Sequence, residues 1–271
     1  MARATPSARL RDNASMRNRG RYPALSTLAI VTALAALVAF APAASAEVTS
    51  ELSIGAELLD QPANQPWSVN LLLGAKLTES TGQENLPVTE RILLEFPKAQ
   101  INTQHFPSCR ATDGKFAVLG EKACPKSSQI GAGVAHVRGI SLPFVADLWL
   151  FNGKGTNNDR EIIIFARERS LEVPVTLRGR LRKINRGDFG FEFDLTIPPA
   201  AIQLLSDQFV AIESFDVKVG KRIRKNGRLI SYIDAPRKCT GDGWPFAFRN
   251  ELRGGVVVNA RTRISCIIKA Q

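Results

Sequence analysis

The stretch VTLRGRLRKINRGDFGFEFDLTI, residues 175–197, decides the fold. In its second half Phe189, Phe191, Phe193, Leu195 and Ile197 alternate with Gly190, Glu192, Asp194 and Thr196. A period of two places the first set on one face of a strand and the second on the other. In its first half Val175, Leu177 and Leu181 alternate with Thr176, Arg178, Arg180 and Arg182, and Asn185-Arg186-Gly187-Asp188 supplies a turn. The two polar faces must share one side of the sheet. That register sets Arg182 opposite Glu192, Arg180 opposite Asp194, and Leu181 opposite Phe193 on the apolar side. Opposite charges facing each other across strands contribute ~0.2–1 kcal/mol each.

The same reading extends outward. Short apolar segments broken by Gly, Pro, Asn and Asp predict strands at 67–77, 89–96, 130–138, 143–151, 161–167, 210–219, 221–225, 228–233, 244–249 and 255–267. Asn226-Gly227 marks a two-residue hairpin turn between Ile223 and Ile230. One short helix is expected at 199–206, where Pro198-Pro199 opens an apolar run. Many short strands with regular turns predict an all-β chain, an antiparallel β-sandwich or jelly-roll-like domain. No repeat and no low-complexity linker divides it, so residues 65–271 read as a single β domain, preceded by a polar N-terminal segment at 47–64.

Residues 1–46 read as a signal peptide. Six arginines stand against the single Asp12 before residue 23, the run ALSTLAIVTALAALVAFA occupies 24–41, and Ala44-Ser45-Ala46 offers small side chains for cleavage. A basic flank, a short apolar run and a small-x-small site are the secretory order. Met16 is an alternative start. After cleavage no second long apolar run remains, so no transmembrane segment is expected, and the mature chain is read as secreted or held in the cell envelope.

Four cysteines, Cys109, Cys124, Cys239 and Cys266, all lie in the exported part. An even number in an oxidising compartment predicts two disulfides, and proximity in sequence favours Cys109–Cys124 and Cys239–Cys266. A zinc site is the weaker reading, because there is no C-x-x-C and only His105 and His136 are available to add ligands. No cofactor is expected.

Phe106-Pro107-Ser108-Cys109, followed by Cys124-Pro125-Lys126-Ser127-Ser128-Gln129-Ile130-Gly131-Ala132-Gly133, resembles a set of uncharacterised exported proteins of high-GC Gram-positive bacteria. These carry a Pro-x-Cys segment and then Cys-Pro-x-x-Ser-x-Ile-Gly. The resemblance implies a secreted, two-disulfide, mainly β domain and carries no activity. Physically, the stretch is a Cys-Pro turn entering a strand in which Gly131 and Gly133 permit close backbone approach.

No catalytic constellation is complete. Glu192 and Asp194 lie on one strand face with arginines opposite, which is an ion-pair ladder more readily than an acid–base pair. The chain has two histidines and no Gly-x-Ser-x-Gly, so a serine hydrolase is not supported. A formal charge of +11 leaves the mature part basic. Arg178, Arg180 and Arg182 on one hairpin, with Arg222, Arg224 and Arg228 on the next β region, are candidate polyanion-binding residues facing an anionic envelope polymer or glycan. Nucleic acid is not expected, because aromatic residues do not interleave with the basic ones. Trp244, beside a Gly-rich turn, is the candidate exposed aromatic for glycan stacking. The leading expectation is a non-catalytic secreted or envelope protein with a structural or surface-binding role. The alternative is a glycan-active enzyme or glycan-binding module.

Overall fold

A computed structural model describes residues 47–59, 67–80, 86–139, 143–205, 208–236 and 242–266. The leader expected at 1–46, and Cys239, lie outside these residues. The strands in chain order are β1 (Val48–Leu58), β2 (Val69–Glu79), β3 (Thr89–Pro97), β4 (Gln100–Ile101), β5 (Gln129–Arg138), β6 (Pro143–Gly155), β7 (Asp159–Glu168), β8 (Pro174–Arg186) and β9 (Phe189–Thr196). They continue with β10 (Gln203–Leu205), β11 (Gln208–Phe209), β12 (Ala211–Val219), β13 (Arg222–Lys225), β14 (Arg228–Ser231), β15 (Ile233–Asp234), β16 (Trp244–Leu252) and β17 (Val256–Ile264). Two short α-helices are described, α1 (Asp113–Leu119) and α2 (Pro199–Ile202).

Eleven strands form one antiparallel sheet in the order β1-β2-β12-β5-β6-β7-β8-β9-β3-β16-β17. Its two end strands, β1 and β17, come within 8 Å of each other, so the sheet wraps almost into a closed barrel. Leu77, Leu252 and Val258 are buried together beside Val48 and Leu86, an apolar cluster drawn from β1, β2, β16 and β17 at the seam. The antiparallel all-β class holds. The layering is achieved by one sheet curving on itself, which brings its own apolar faces together instead of stacking two sheets.

The deciding hairpin forms in the expected register: Leu181 faces Phe193, Arg182 faces Glu192 and Arg180 faces Asp194. The hairpin at Asn226-Gly227 also forms, with both turn residues at positive φ (50° and 75°) and Ile223 facing Ile230. Gly133 lies against β12, where an added Cβ would stand 2.1 Å from the Asp216 carbonyl oxygen, so glycine is required there.

Two expectations are corrected. The segment 47–64 is not merely polar, because residues 48–58 form β1 and pair along their whole length with β2. Leu52, Ile54 and Ala56 follow a period of two that joins the core, with Ser53 and Gly55 between them. One helix was also missed. α1 is capped by Thr112, whose hydroxyl accepts from the Lys115 amide.

Disulfide Cys109–Cys124 is present as expected and closes a 15-residue separation around α1. This segment covers the outside of the barrel, where Phe116 packs on Phe151 and Phe165 beside Trp149. Cys266 is also disulfide-bonded. Among the described residues no helix is long and apolar enough to cross a membrane.

Candidate apolar ligand site

Inward-pointing side chains alternate along each barrel strand. Val69, Leu71 and Leu73 come from β2, Ile92, Leu94 and Phe96 from β3, Leu148 and Leu150 from β6, and Phe215, Val217 and Val219 from β12. Barrels of about eight strands are filled by their own side chains, whereas wider ones enclose space. Eleven strands here enclose a cavity of about 180 Å³. The surface it presents is apolar throughout.

Short elements cross both ends without sealing the cavity from solvent. At the upper end, where β2, β5 and β16 begin, β4 pairs with β15 through Ile101–Ile233 and Gln100–Asp234. Ala99, Ile101, Tyr232, Ile233 and Ala235 from this roof line the cavity. The roof is fixed by buried polar groups. Ser68 Oγ donates to Asp234 Oδ1 at 3.0 Å, and Asn102 Nδ2 donates to Asp234 Oδ2 at 2.8 Å and to the Ser231 carbonyl at 2.9 Å. Asn152, fully buried in β6, directs its amide nitrogen at the carbonyls of Thr103, Phe106 and Pro107. Arg160 is 5% exposed and donates to Ser108 Oγ and to the carbonyls of Gly153 and Thr156. Burial lowers its pKa. At the lower end α2 and the residues around it bring Ile197, Ile202 and Val210 into the core.

Trp244 is corrected from the sequence reading. It is 3% exposed and lines the cavity, so it cannot be a stacking platform on the outer surface. The glycine-rich flank suggested a surface loop, but β16 begins at Trp244 itself and points the ring inward with Phe246 and Phe248.

The two basic groups separate. On the outer wall acids and bases alternate strand by strand. Arg178 of β8 binds Asp113 at 2.7 Å and Glu161 at 2.9 Å, Arg180 pairs with Asp159, and Arg182 binds Glu192 at 2.8 Å and Asp194 at 3.0 Å. Arg91 of β3 grips Asp194 with two bonds of 2.8 Å and holds its pKa below the usual carboxylate range. The ladder expected for Glu192 and Asp194 is therefore present, although Arg180 takes its carboxylate from β7 and not from Asp194. Such surface pairs contribute ~0–1 kcal/mol each, and they neutralise Arg178, Arg180 and Arg182 locally. Arg224 and Arg228 differ. They are exposed on the β13–β14 hairpin and make no ion pair among the described residues, and Arg222 is exposed beside them.

Sequence reasoning named neither the cavity nor its roof. Its only trace was the apolar alternation in successive strands, which shows that one face of each is buried and is silent on whether the buried faces meet. Comparison with family models, with curated proteins and with solved structures finds no match to this chain.

Proposed function

We propose that this is an exported, non-catalytic binding protein that holds an apolar molecule inside its barrel. The observation that carries this reading is the cavity and its wholly apolar surface. A void of 180 Å³ costs about 4 kcal/mol at ~24 cal/mol per Å³. That is a sizeable fraction of the ~5–15 kcal/mol by which domains are stable. The space amounts to roughly six waters at ~30 Å³ each, yet a buried water needs two to four polar partners and the surface of this cavity is apolar. An apolar cavity of about 150 Å³ stays dry and takes up benzene. Filling this one with an apolar group recovers the lost contacts, so affinity arises from the void itself. The leader and the cysteines support delivery outside the cytoplasm.

The test is titration of the mature protein with N-phenyl-1-naphthylamine, a neutral dye that brightens in apolar surroundings. Saturable one-site enhancement is expected. Ala135→Leu and Leu148→Phe, which fill the cavity from two strands, should each weaken binding at least ten-fold while the melting temperature holds or rises. Absence of saturable binding, or binding indifferent to both substitutions, would remove the proposal.

A further inference from the structure

We infer that the molecule in the barrel is an anionic amphiphile whose apolar tail occupies the cavity and whose acidic headgroup rests on the β13–β14 hairpin. This rests on the cavity reading above and names the class of ligand.

The hairpin grows out of the cavity roof. Val219 precedes it and Tyr232 and Ile233 follow it, and all three line the cavity. Ile223 and Ile230 pack its base onto the core, and Tyr232 N–H donates to the Lys221 carbonyl at its root. A headgroup leaving the cavity on this side meets the hairpin.

Its charge is all of one sign. Residues 220–233 contain Lys221, Arg222, Arg224, Lys225 and Arg228 and no aspartate or glutamate. Lys225 stands directly opposite Arg228 across the turn. Like charges so placed repel and destabilise a hairpin. Arg224, Lys225 and Arg228 have no carboxylate partner among the described residues, while Arg178, Arg180 and Arg182 on the wall are all paired. At the root of the hairpin, the Lys221 ammonium donates to the carbonyl of Lys126 at 2.8 Å. An arrangement that costs stability when empty is relieved when an anion binds.

The cavity supplies the other half of the argument. Its apolar wall offers no partner to a carboxylate or phosphate, and moving an ionised group there is prohibitive. An acid must therefore stay at the mouth, and a short single tail suits the volume.

The experiment is calorimetric titration of the mature protein with hexanoate, hexyl phosphate and 1-hexanol, all below their aggregation limits. It is repeated with Arg224→Gln/Lys225→Gln/Arg228→Gln, three exposed sites, after circular dichroism has checked that the variant keeps the parent fold. Both acids should bind at least ten-fold tighter than the alcohol, and the relative affinity of carboxylate and phosphate identifies the preferred headgroup. The triple variant should lose that preference with alcohol affinity unchanged, and salt should erode the preference in the parent. Equal binding of acids and alcohol, or a preference that survives in the variant, overturns this inference while leaving the cavity reading standing. If none of the three binds the parent, the cavity reading itself falls and this inference with it.

Discussion

The hydroxyl of Tyr232 donates to Oδ1 of Asn152 at 3.2 Å, joining the roof of the barrel to its wall between two buried side chains. The Tyr232 ring also stands edge-on to Phe106, with centroids 5.2 Å apart. Tyr232→Phe keeps the ring contact and leaves Asn152 Oδ1 without its donor. A buried acceptor left unpaired costs ~1–3 kcal/mol, so the urea midpoint should fall accordingly. An unchanged midpoint would show that the bond contributes nothing.

The same hydroxyl governs an alkaline transition. Burial pushes its pKa well above the ordinary tyrosine value, whereas in the unfolded chain it ionises near ~10. Above that pH the unfolded state holds fewer protons than the folded one, so stability falls as pH rises. The contribution is fully present below about pH 10 and disappears as pH climbs through the raised folded value. The mature chain contains no other tyrosine, since the remaining one, Tyr22, lies in the expected leader. Absorbance at 295 nm therefore reports Tyr232 alone. Tyrosinate should appear together with loss of structure, and Tyr232→Phe should flatten this part of the alkaline decline. Ionisation near pH 10 in the still-folded protein would contradict the burial argument.

Disulfide Cys109–Cys124 should be worth about 3 kcal/mol, because closing a 15-residue loop removes that much chain entropy from the unfolded state. Cys109→Ala/Cys124→Ala should lose it and loosen the packing of Phe116 on Phe151 and Phe165. That packing lies outside the barrel, so dye binding in the cavity should be nearly unchanged. A variant that melts with the parent's midpoint, or that loses the dye altogether, would assign the bridge a different role.

What could be read from residues 175–197 was local, and it was realised locally. Two-residue alternation fixes which side chains share a face, and opposite charges then choose the register, as Arg182 and Glu192 do. Glycines in a strand signal close approach, as Gly133 does against Asp216. Partners far apart in sequence could not be read. Arg178 meets Asp113 from α1, and Asp194 meets Arg91 from β3. β1 was legible in principle, since Leu52, Ile54 and Ala56 alternate, but its serines and glutamates masked the pattern. Closure of the sheet and the void inside it depend on strand number and curvature, which no single segment encodes.

Glycine positions on either side of the barrel wall should respond with opposite sign. At Gly133 a methyl group would fall 2.1 Å from the Asp216 oxygen and 2.7 Å from the Val217 Cα, both backbone atoms of β12. Strands β5 and β12 would have to part, so Gly133→Ala should cost about 1–3 kcal/mol or more. Gly114 in α1 has nothing within 4 Å of an added Cβ. There alanine only stiffens the unfolded chain and favours helix, with an expected gain of up to about 1 kcal/mol. Thermal melts of the two variants should shift in opposite directions, and a parallel shift would mean that the close approach at β12 is not what requires glycine at 133.

The acid limb of the stability profile should pass through Asp194. Arg91 holds it with two bonds of 2.8 Å and Arg182 adds a third at 3.0 Å. The Arg91 hydrogen bonds are the largest influence and depress its folded pKa, while burial works against them. A depressed folded value means that the unfolded state binds the proton more readily. The contribution to stability is therefore complete above the unfolded value of about 4 and is lost as pH falls through the lower folded value. Asp194→Asn removes the charge and leaves Arg91, among the described residues, with Glu251 at 3.8 Å as its remaining ion pair. The variant should be less stable than the parent at neutral pH, and its deficit should shrink as the medium is acidified below pH 4. Guanidinium would screen the pair, so urea is the denaturant of choice. If the two stability curves stay parallel down to pH 2, the fork around Asp194 is not a source of the acid sensitivity.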